Sequence, residues 1–484
     1  MKALMPSSFM HTAPRLTALA AAALLAGCSF IPTYERPAAP LPAGYTLAGP
    51  ALAADAPAAT AIDWKDYFTD ARLQRLVGMA LANNRDLRVA MLNVDQARAQ
   101  FQIRRADQFP TVSALANATR QPNTSGQYAN QFQVGVGITA WEIDFFGRIA
   151  ALKEQALAQY LATDEARKSA QISLVSAVAS GWLTLCADEE LLDLSRRTLQ
   201  TREESLQLTR LRLDNGISSE LDYAQALSLA QSARATLAQR QRQRLLDENA
   251  LVLLLGQALP EDIRASLTSA RLEDNSPMQP LPVGLPSDLL TRRPDIRMAE
   301  QQLIGANANI GAARAAFFPR IALTAQFGSV SSELSGLFKS GSWAFSLAPQ
   351  AALPIFDAGR NQANLDAAMV GRDIALAQYE KSIQSAFREV SDALAGLDTL
   401  RQEIDAQTAL VDANRRSLEL ADLRYRNGVA SHLDLLDAQR SLFGSEQALV
   451  AARLQQQLNQ VAMYKVLGGG WTQQPQGEED APQS

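Results

Sequence analysis

The chain has 484 residues, 47% of them apolar, with 45 basic and 50 acidic side chains and a formal net charge of −5. That mild acidity excludes a nucleic-acid partner, which calls for a basic surface to meet phosphates. Two cysteines and two histidines in so long a chain exclude a disulfide scaffold and paired-histidine metal motifs, so stability must come from packing and assembly.

At the N-terminus, Lys2 and Arg15 precede an apolar run from Leu16 to Ala26 that is too short for a permanent membrane helix. Residues 1–27 therefore read as a signal peptide. The run closes on Leu25-Ala26-Gly27-Cys28, which resembles a lipobox, so Cys28 is the expected site of lipidation and residues 28–62 an extended, lipid-anchored segment. Ser29 in place of an aspartate implies sorting to the outer membrane. One lipidated residue anchors modestly, so a second contact with outer membrane lipid is expected. Cleavage removes Lys2, His11 and Arg15 but no acid, leaving a net charge of −7, Cys186 as the only thiol and His432 as the only histidine. The remaining chain lacks the roughly 18 to 20 continuous apolar residues of a membrane helix. Any entry into a membrane would be by strands.

Six short motifs recur in the same order, which divides the chain into a first repeat over 63–270 and a second over 271–470. Asn84-Arg85-Asp86-Leu87-Arg88 returns as Arg293-Pro294-Asp295-Ile296-Arg297, and Phe109-Pro110 as Phe318-Pro319, both 209 residues on. Gly147-Arg148, Asn215-Gly216, Leu221-Asp222 and Leu255-Gly256 return 212 residues on, as Gly359-Arg360, Asn427-Gly428, Leu433-Asp434 and Leu467-Gly468.

Each repeat opens on a helix, Ala71 to Ala106 and Pro286 to Ala316, and continues into a pair of alternating segments. Strands are expected over about 110–120, 131–143, 319–330 and 343–356. In the second, Phe132, Val134, Val136, Ile138 and Ala140 alternate with Gln133, Gly135, Gly137, Thr139 and Trp141, one apolar face and one largely polar. The segments Gln121 to Asn130 and Ser331 to Ser342 suit exposed loops. A soluble sandwich would alternate too, but four strands make too small a sheet to bury itself. Strands of this length suit a transmembrane barrel, which needs at least about eight, so several subunits must contribute staves and three would give twelve.

Proline-free helical runs follow, from Arg148 to about Leu213 and from Arg360 to about Arg426, each on the order of 100 Å long. Ile172, Val175, Ala179, Trp182 and Cys186 form one seam, which makes Cys186 a core residue, and Ile383, Phe387, Val390, Leu394, Leu397 and Ile404 form another. Each run stops at Asn-Gly and returns, giving long antiparallel hairpins over 148–256 and 360–467. The acidic tail over 471–484 reads as disordered.

No catalytic or metal-binding constellation is legible, so the chain reads as a non-enzyme with no cofactor beyond the lipid on Cys28. Leu433, Asp434 and Asp437 share one helical face just past the second turn, and Asp222 holds the matching place in the first hairpin. In an oligomer these carboxylates would form charged rings, and in a single chain they would favour a helix start; spacing alone fits either.

The residues that carry a family resemblance are Cys28, Ile31-Pro32-Thr33-Tyr34 with Arg36-Pro37, Asp63-Trp64, Asn83-Asn84-Arg85-Asp86-Leu87, Trp141-Glu142-Ile143-Asp144 with Gly147-Arg148, Arg292-Arg293-Pro294-Asp295-Ile296, Phe356-Asp357-Ala358-Gly359-Arg360 and Leu435-Leu436-Asp437-Ala438-Gln439-Arg440. In order and spacing they resemble the outer membrane factors, in particular the OprM-like (NodT-type) efflux lipoproteins and, more distantly, TolC. The resemblance implies a mixed α and β channel-tunnel: a homotrimer with a twelve-stranded barrel and a periplasmic α-barrel. It implies partnership with a periplasmic adaptor and an inner membrane pump, usually of the resistance-nodulation-division class, and export of small amphiphilic compounds. It also implies that Leu433, Asp434, Asp437 and Tyr425 constrict the periplasmic aperture, to which Asp222 would add a third ring from the first hairpin, with Ala430 standing where TolC-like proteins carry an arginine. The tips Asn215, Gly216, Ile217, Ser218, Asn427, Gly428, Val429, Ala430 and Ser431 would meet the adaptor. A duct for type I protein secretion and a pore-free structural lipoprotein are the competing readings.

Overall fold

The computed structural model describes residues 29–40, 62–122, 124–267, 271–272, 278, 281 and 289–469. Cys28, the leader, most of the 28–62 segment and the 471–484 tail lie outside them. In chain order the elements are α1 (Trp64–Tyr67), α2 (Ala71–Asn83), α3 (Arg85–Ala106), β1 (Val112–Pro122), β2 (Tyr128–Glu142), α4 (Arg148–Asp214), α5 (Glu220–Leu255), α6 (Glu261–Leu267), α7 (Leu289–Arg292), α8 (Pro294–Ala315), β3 (Arg320–Ser331), β4 (Trp343–Ala352), α9 (Arg360–Arg426) and α10 (His432–Val466). Two compact units divide the chain, one of Met1–Ala38, Asn93–Asp164 and Met298–Glu380, the other of Ala39–Leu92, Glu165–Arg297 and Lys381–Ser484.

The first unit holds one antiparallel sheet in the order β1-β2-β3-β4. Its register sorts the side chains by face. Ala114, Val136, Phe327 and Phe345 lie opposite one another, as do Val112, Ile138, Ala325 and Leu347, giving an apolar face. The other face carries Ser113, Gly137, Gln326 and Ser346, with a hydrogen bond of 2.5 Å from Gln133 Nε2 to Gln326 Oε1. Phe327, Phe345, Trp343 and Val112 are all more than half exposed, so no described residue covers most of the apolar face. Both β1 and β4 are edges, and no described strand pairs with their outer rows.

Alternation alone assigns Trp141 to the polar face, and the structure corrects this. Between Ile138 and Trp141 the pairing shifts by a bulge, with Ala140 at φ 49° and its N–H donating to Thr324 Oγ1. The extra residue turns Trp141 to lie opposite Leu323, on the apolar face. Gly135 and Gly328, paired on the other face, approach so closely that a Cβ on either would stand 2.3 Å from a carbonyl oxygen of the facing strand. The β1–β2 connection is shorter than expected because both strands extend into it. The loop between β3 and β4 is not wholly exposed: Leu337 is buried, and its carbonyl accepts a bond from the buried Ser329 hydroxyl. β4 ends at Ala352 rather than near 356, just before the break at Pro354, leaving Ile355 and Phe356 highly exposed.

The same unit pins the chain's first described residues along α8. Phe30 stacks on Phe318 at 4.7 Å, Asn307 Nδ2 donates to the Pro32 carbonyl at 2.7 Å, and Arg36 grips Glu300 with two bonds of 2.7 and 2.9 Å. Gly311 admits this strap, since a Cβ there would meet Ile31 at 2.6 Å.

In the second unit the long helices bury their seams. Ile172, Val175, Ala179, Trp182 and Cys186 are all buried, and burial pushes the Cys186 thiol up to about 12, so it is an inert core group. One 18-residue window of α4 is apolar enough for a membrane span, but 61% of it is buried inside the protein. On α9, Ile383, Val390 and Leu394 are buried, whereas Leu397, expected on the same seam, is 38% exposed. A straight helix drifts by about 20° per heptad from a seven-residue repeat, which carries later positions off the contact.

Each expected opening helix is interrupted at its repeated motif, and the interrupting side chains do equivalent work. Asn84, between α2 and α3, donates to the Leu254 carbonyl at 3.0 Å. Arg293, between α7 and α8, donates to the Val466 carbonyl at 3.0 Å, and to Asp295 and Glu389 at 2.6 and 2.8 Å. Both close the C-terminal end of a return helix, where carbonyls lack partners of their own. Pro294 accounts for the second break, because the residue before a proline is pushed out of the helical region. We predict that Asn84→Ala costs on the order of 1–3 kcal/mol and Arg293→Ala more, since two carboxylates also lose their cation. Guanidinium denaturation followed by circular dichroism tests the order, and equal midpoints would contradict it.

Candidate functional site

The second unit contains both hairpin turns, and they are built alike. Gly216 and Gly428 take φ of 72° and 71°, a region that L side chains rarely adopt. The Gly216 and Ile217 N–H groups donate to the carbonyls of Leu213 and Arg212 at 2.9 and 2.8 Å; Gly428 and Val429 donate to Tyr425 and Arg424 at 3.0 and 2.9 Å. These paired bonds are the Schellman closure of a helix end. Asn215 and Asn427 add side-chain bonds to the Leu211 and Leu423 carbonyls at 2.6 and 2.7 Å. Helix-end carbonyls thus find partners within each turn, and Ile217 and Val429 stand out into solvent, 75% and 67% exposed.

Each return helix then begins with a capping box. Ser219 Oγ accepts the Asp222 N–H at 3.1 Å while the Asp222 carboxylate accepts the Ser219 N–H and hydroxyl at 3.1 and 2.8 Å and the Ser218 hydroxyl at 3.1 Å. Ser431 and Asp434 repeat the reciprocal pair at 3.2 and 3.0 Å. Bonding from the Ser219 hydroxyl and then its backbone N–H holds the Asp222 carboxyl below the usual carboxylate range. Asp222 and Asp434 are therefore helix caps. Asp434 keeps an outward place all the same, because Leu433, Asp434, Asp437 and Arg440 form one exposed face while Leu435 and Leu436 are buried. Asp437 pairs with Arg440 one turn on.

Two residues outside the expected aperture set join the hairpins to each other. Arg212, at the end of α4, donates to the Tyr425 hydroxyl at 2.7 Å, and the Tyr425 ring packs on His432 at 5.2 Å. His432 is only 6% exposed, and its Nδ1 has no partner. Burial pushes its pKa below the ordinary 6.5; the Asp222 charge opposes that shift and the Arg212 charge adds to it. Arg212 and Asp222 of the first hairpin thus meet Tyr425 and His432 of the second. Ala430 carries no polar side chain, and the guanidinium that meets the second hairpin at Tyr425 is that of Arg212. Nothing in the sequence singles out Arg212 among the arginines of α4, whereas His432, the only histidine besides His11, stands in the repeat where the first hairpin has Glu220. Among the described residues no group of three or more histidine, cysteine, aspartate or glutamate side chains is placed to hold a metal ion.

The family model "Outer membrane efflux protein" matches the chain twice, over residues 76–257 and 285–469, once in each repeat. The "Antibiotic efflux pump outer membrane protein ArpC" of Pseudomonas putida is 46% identical over 461 residues, covering 93% of this chain and 94% of the relative. The "Solvent efflux pump outer membrane protein SrpC" of Pseudomonas putida is 47% identical over 464 residues, covering 93% and 97%. Among solved structures, a membrane protein from Pseudomonas aeruginosa aligns with a TM-score of 0.84 and 45% identity, covering 92% of this chain and 98% of that one. Its fold is that of these channels, and the chain belongs to the outer membrane efflux protein family, a family of the outer membrane.

Proposed function

We propose that this protein is the passive exit duct of a tripartite efflux system, a homotrimer lipidated at Cys28 that recruits a periplasmic adaptor and an inner membrane pump of the resistance-nodulation-division type. The observation that carries this reading is the sheet of the first unit, with an uncovered apolar face and two open edges. In hydrocarbon every backbone N–H and C=O must be paired, so the edges call for staves from other subunits, and three copies of four strands suit a barrel. The names of the relatives, antibiotic and solvent efflux pump proteins, speak for small amphiphilic cargo rather than for protein secretion.

In this reading the second unit's hairpin ends form the periplasmic aperture. The Arg212–Tyr425 bond holds two hairpins of one chain together, and Asp434 and Asp437 on the exposed face of α10 would form rings in the trimer. Val429 and Ile217, apolar and presented outward on rigid turns, suit contact with the adaptor.

Expressed with a cognate adaptor and pump in a host that lacks its own channel, the protein should restore resistance to amphiphilic drugs. Val429→Asp should abolish that resistance while trimers persist. Unchanged susceptibility with all three components assembled would overturn the assignment.

In planar bilayers, Asp434→Asn with Asp437→Asn should raise single-channel conductance, because asparagine can still accept the Ser431 N–H while the ring charge is gone. Tyr425→Phe removes the hydroxyl that accepts the Arg212 hydrogen bond, worth about 1–2 kcal/mol, and should shift the closed-to-open ratio by about 5–30-fold. Conductances equal to wild type would count against an aperture at these residues.

Acid should open the same place. The closed tip holds His432 with a pKa below 6.5, so a loosened, solvated tip binds the proton more readily. The stability this group lends to closure is complete above 6.5 and is lost as pH falls from there towards the lowered value. Open probability should therefore rise between about pH 7.5 and about pH 5.5. His432→Gln should flatten that profile, and an unaltered slope in the variant would refute the role.

A further inference from the structure

Arg202 lies in α4 within the second unit and is 6% exposed. Its Nη1 donates to the Leu229 carbonyl of α5 at 3.3 Å, its guanidinium sits 5.4 Å from the Phe443 ring of α10, and its Nε is buried without a partner. The other arginines at this place are matched by carboxylates. Arg197 reaches Asp193 at 3.4 Å, Arg415 reaches Asp412 at 3.0 Å and Glu446 at 3.7 Å, and Arg440 pairs with Asp437. No ion pair to Arg202 is present among the described residues. A guanidinium does not give up its proton at physiological pH, so a full positive charge is kept out of water here with one neutral acceptor and one aromatic ring for company.

Beside it is a cavity of about 170 Å³, lined by Arg202, Arg197, Thr198, Gln439, Phe443 and the carboxylate Glu446 among others. A water molecule takes about 30 Å³ in the liquid, so the space admits a small polyatomic ion together with some water. Gln439 supplies a second unmatched group, its Oε1 being buried without a partner. The two ends of an amide are interchangeable by rotation, and turned over it offers N–H donors in place of that orphaned oxygen. Two buried polar side chains without full partners, one of them the Arg202 cation, thus line one cavity, while Glu446 on the same wall is paired with Arg415; an anion beside Arg202 would match its charge.

We infer that this cavity binds a small oxyanion, a carboxylate or a phosphate, with Arg202 supplying the charge and the Gln439 amide a second donor. The site takes side chains from α4 and α10, so an occupied site would link the two hairpins at a level separate from the Arg212–Tyr425 bond.

Calorimetric titration of the detergent-solubilised full-length protein with inorganic phosphate, and separately with acetate, tests this, with sodium chloride at matched ionic strength as the reference. Saturable binding of either anion beyond the chloride reference is expected, distinguishing the two sources of the shared chemistry. Arg202→Met should abolish it. Arg202→Lys, which keeps the charge but not the fork of donors, and Gln439→Leu should each weaken it about tenfold or more while leaving assembly intact, so the test stands even if Arg202→Met fails to fold. Absence of saturable binding in the wild type, or equal affinity in the Arg202→Lys and Gln439→Leu proteins, would overturn the site.

Discussion

Backbone hydrogen bonding at the two edges of the β1–β4 sheet is the constraint from which the rest of the design follows. An unpaired row of N–H and C=O groups is tolerable in water but costs several kcal/mol per group in hydrocarbon, so a four-stranded sheet with an apolar face cannot serve alone. Identical copies supply the missing partners most economically, because each brings one β1 edge and one β4 edge. Once the sheet is committed to closure with others, the helices that continue from it must also be compatible with neighbours. The proposed trimer would offer cover to α3, whose Val89, Met91, Leu92 and Ile103 are each more than half exposed in the single chain.

Duplication supplied the parts, and divergence gave them separate tasks. Asn84 and Arg293 hold equivalent carbonyls by different chemistry, one with an amide and the other with a guanidinium anchored by two carboxylates. The turns kept their glycines, Schellman bonds and capping boxes, since each solves the same problem of helix ends. What differs is what leans on the turn: Tyr425 and His432 in the second hairpin stand where the first has Leu213 and Glu220. An aromatic and an imidazole in one hairpin can therefore receive an arginine and an aspartate from the other.

The repeat, the strands, the long helices and the turns were legible because each rests on a local rule: alternation, a helical seam, or a glycine where a positive φ is needed. The predicted helical run starting at Arg360 ends at Arg426, as expected from Asn427-Gly428. Local rules failed where one residue changes the count. Ala140 gives no sign that it will take φ 49°, and Trp141 changes face as a result. The Arg212–Tyr425 bond spans 213 residues, and only the folded packing of the hairpins brings its ends together. The competition over Asp222 and Asp434 was undecidable from spacing because a capping box and a charged ring ask for an acid at the same place.

The strap along α8 has a mechanical meaning for whatever Cys28 carries. Phe30, Ile31, Pro32 and Arg36 are each held by α8 or its C-terminal continuation at Phe318, so only Ser29 separates the residue at 28 from a fixed point. Consecutive Cα atoms are about 3.8 Å apart, so covalent geometry alone keeps a group on residue 28 within two links of Phe30. An acyl group there would behave as a short mooring line rather than a leash. It would resist vertical slip of the sheet through the bilayer, registering the apolar face against the hydrocarbon instead of only keeping the chain nearby.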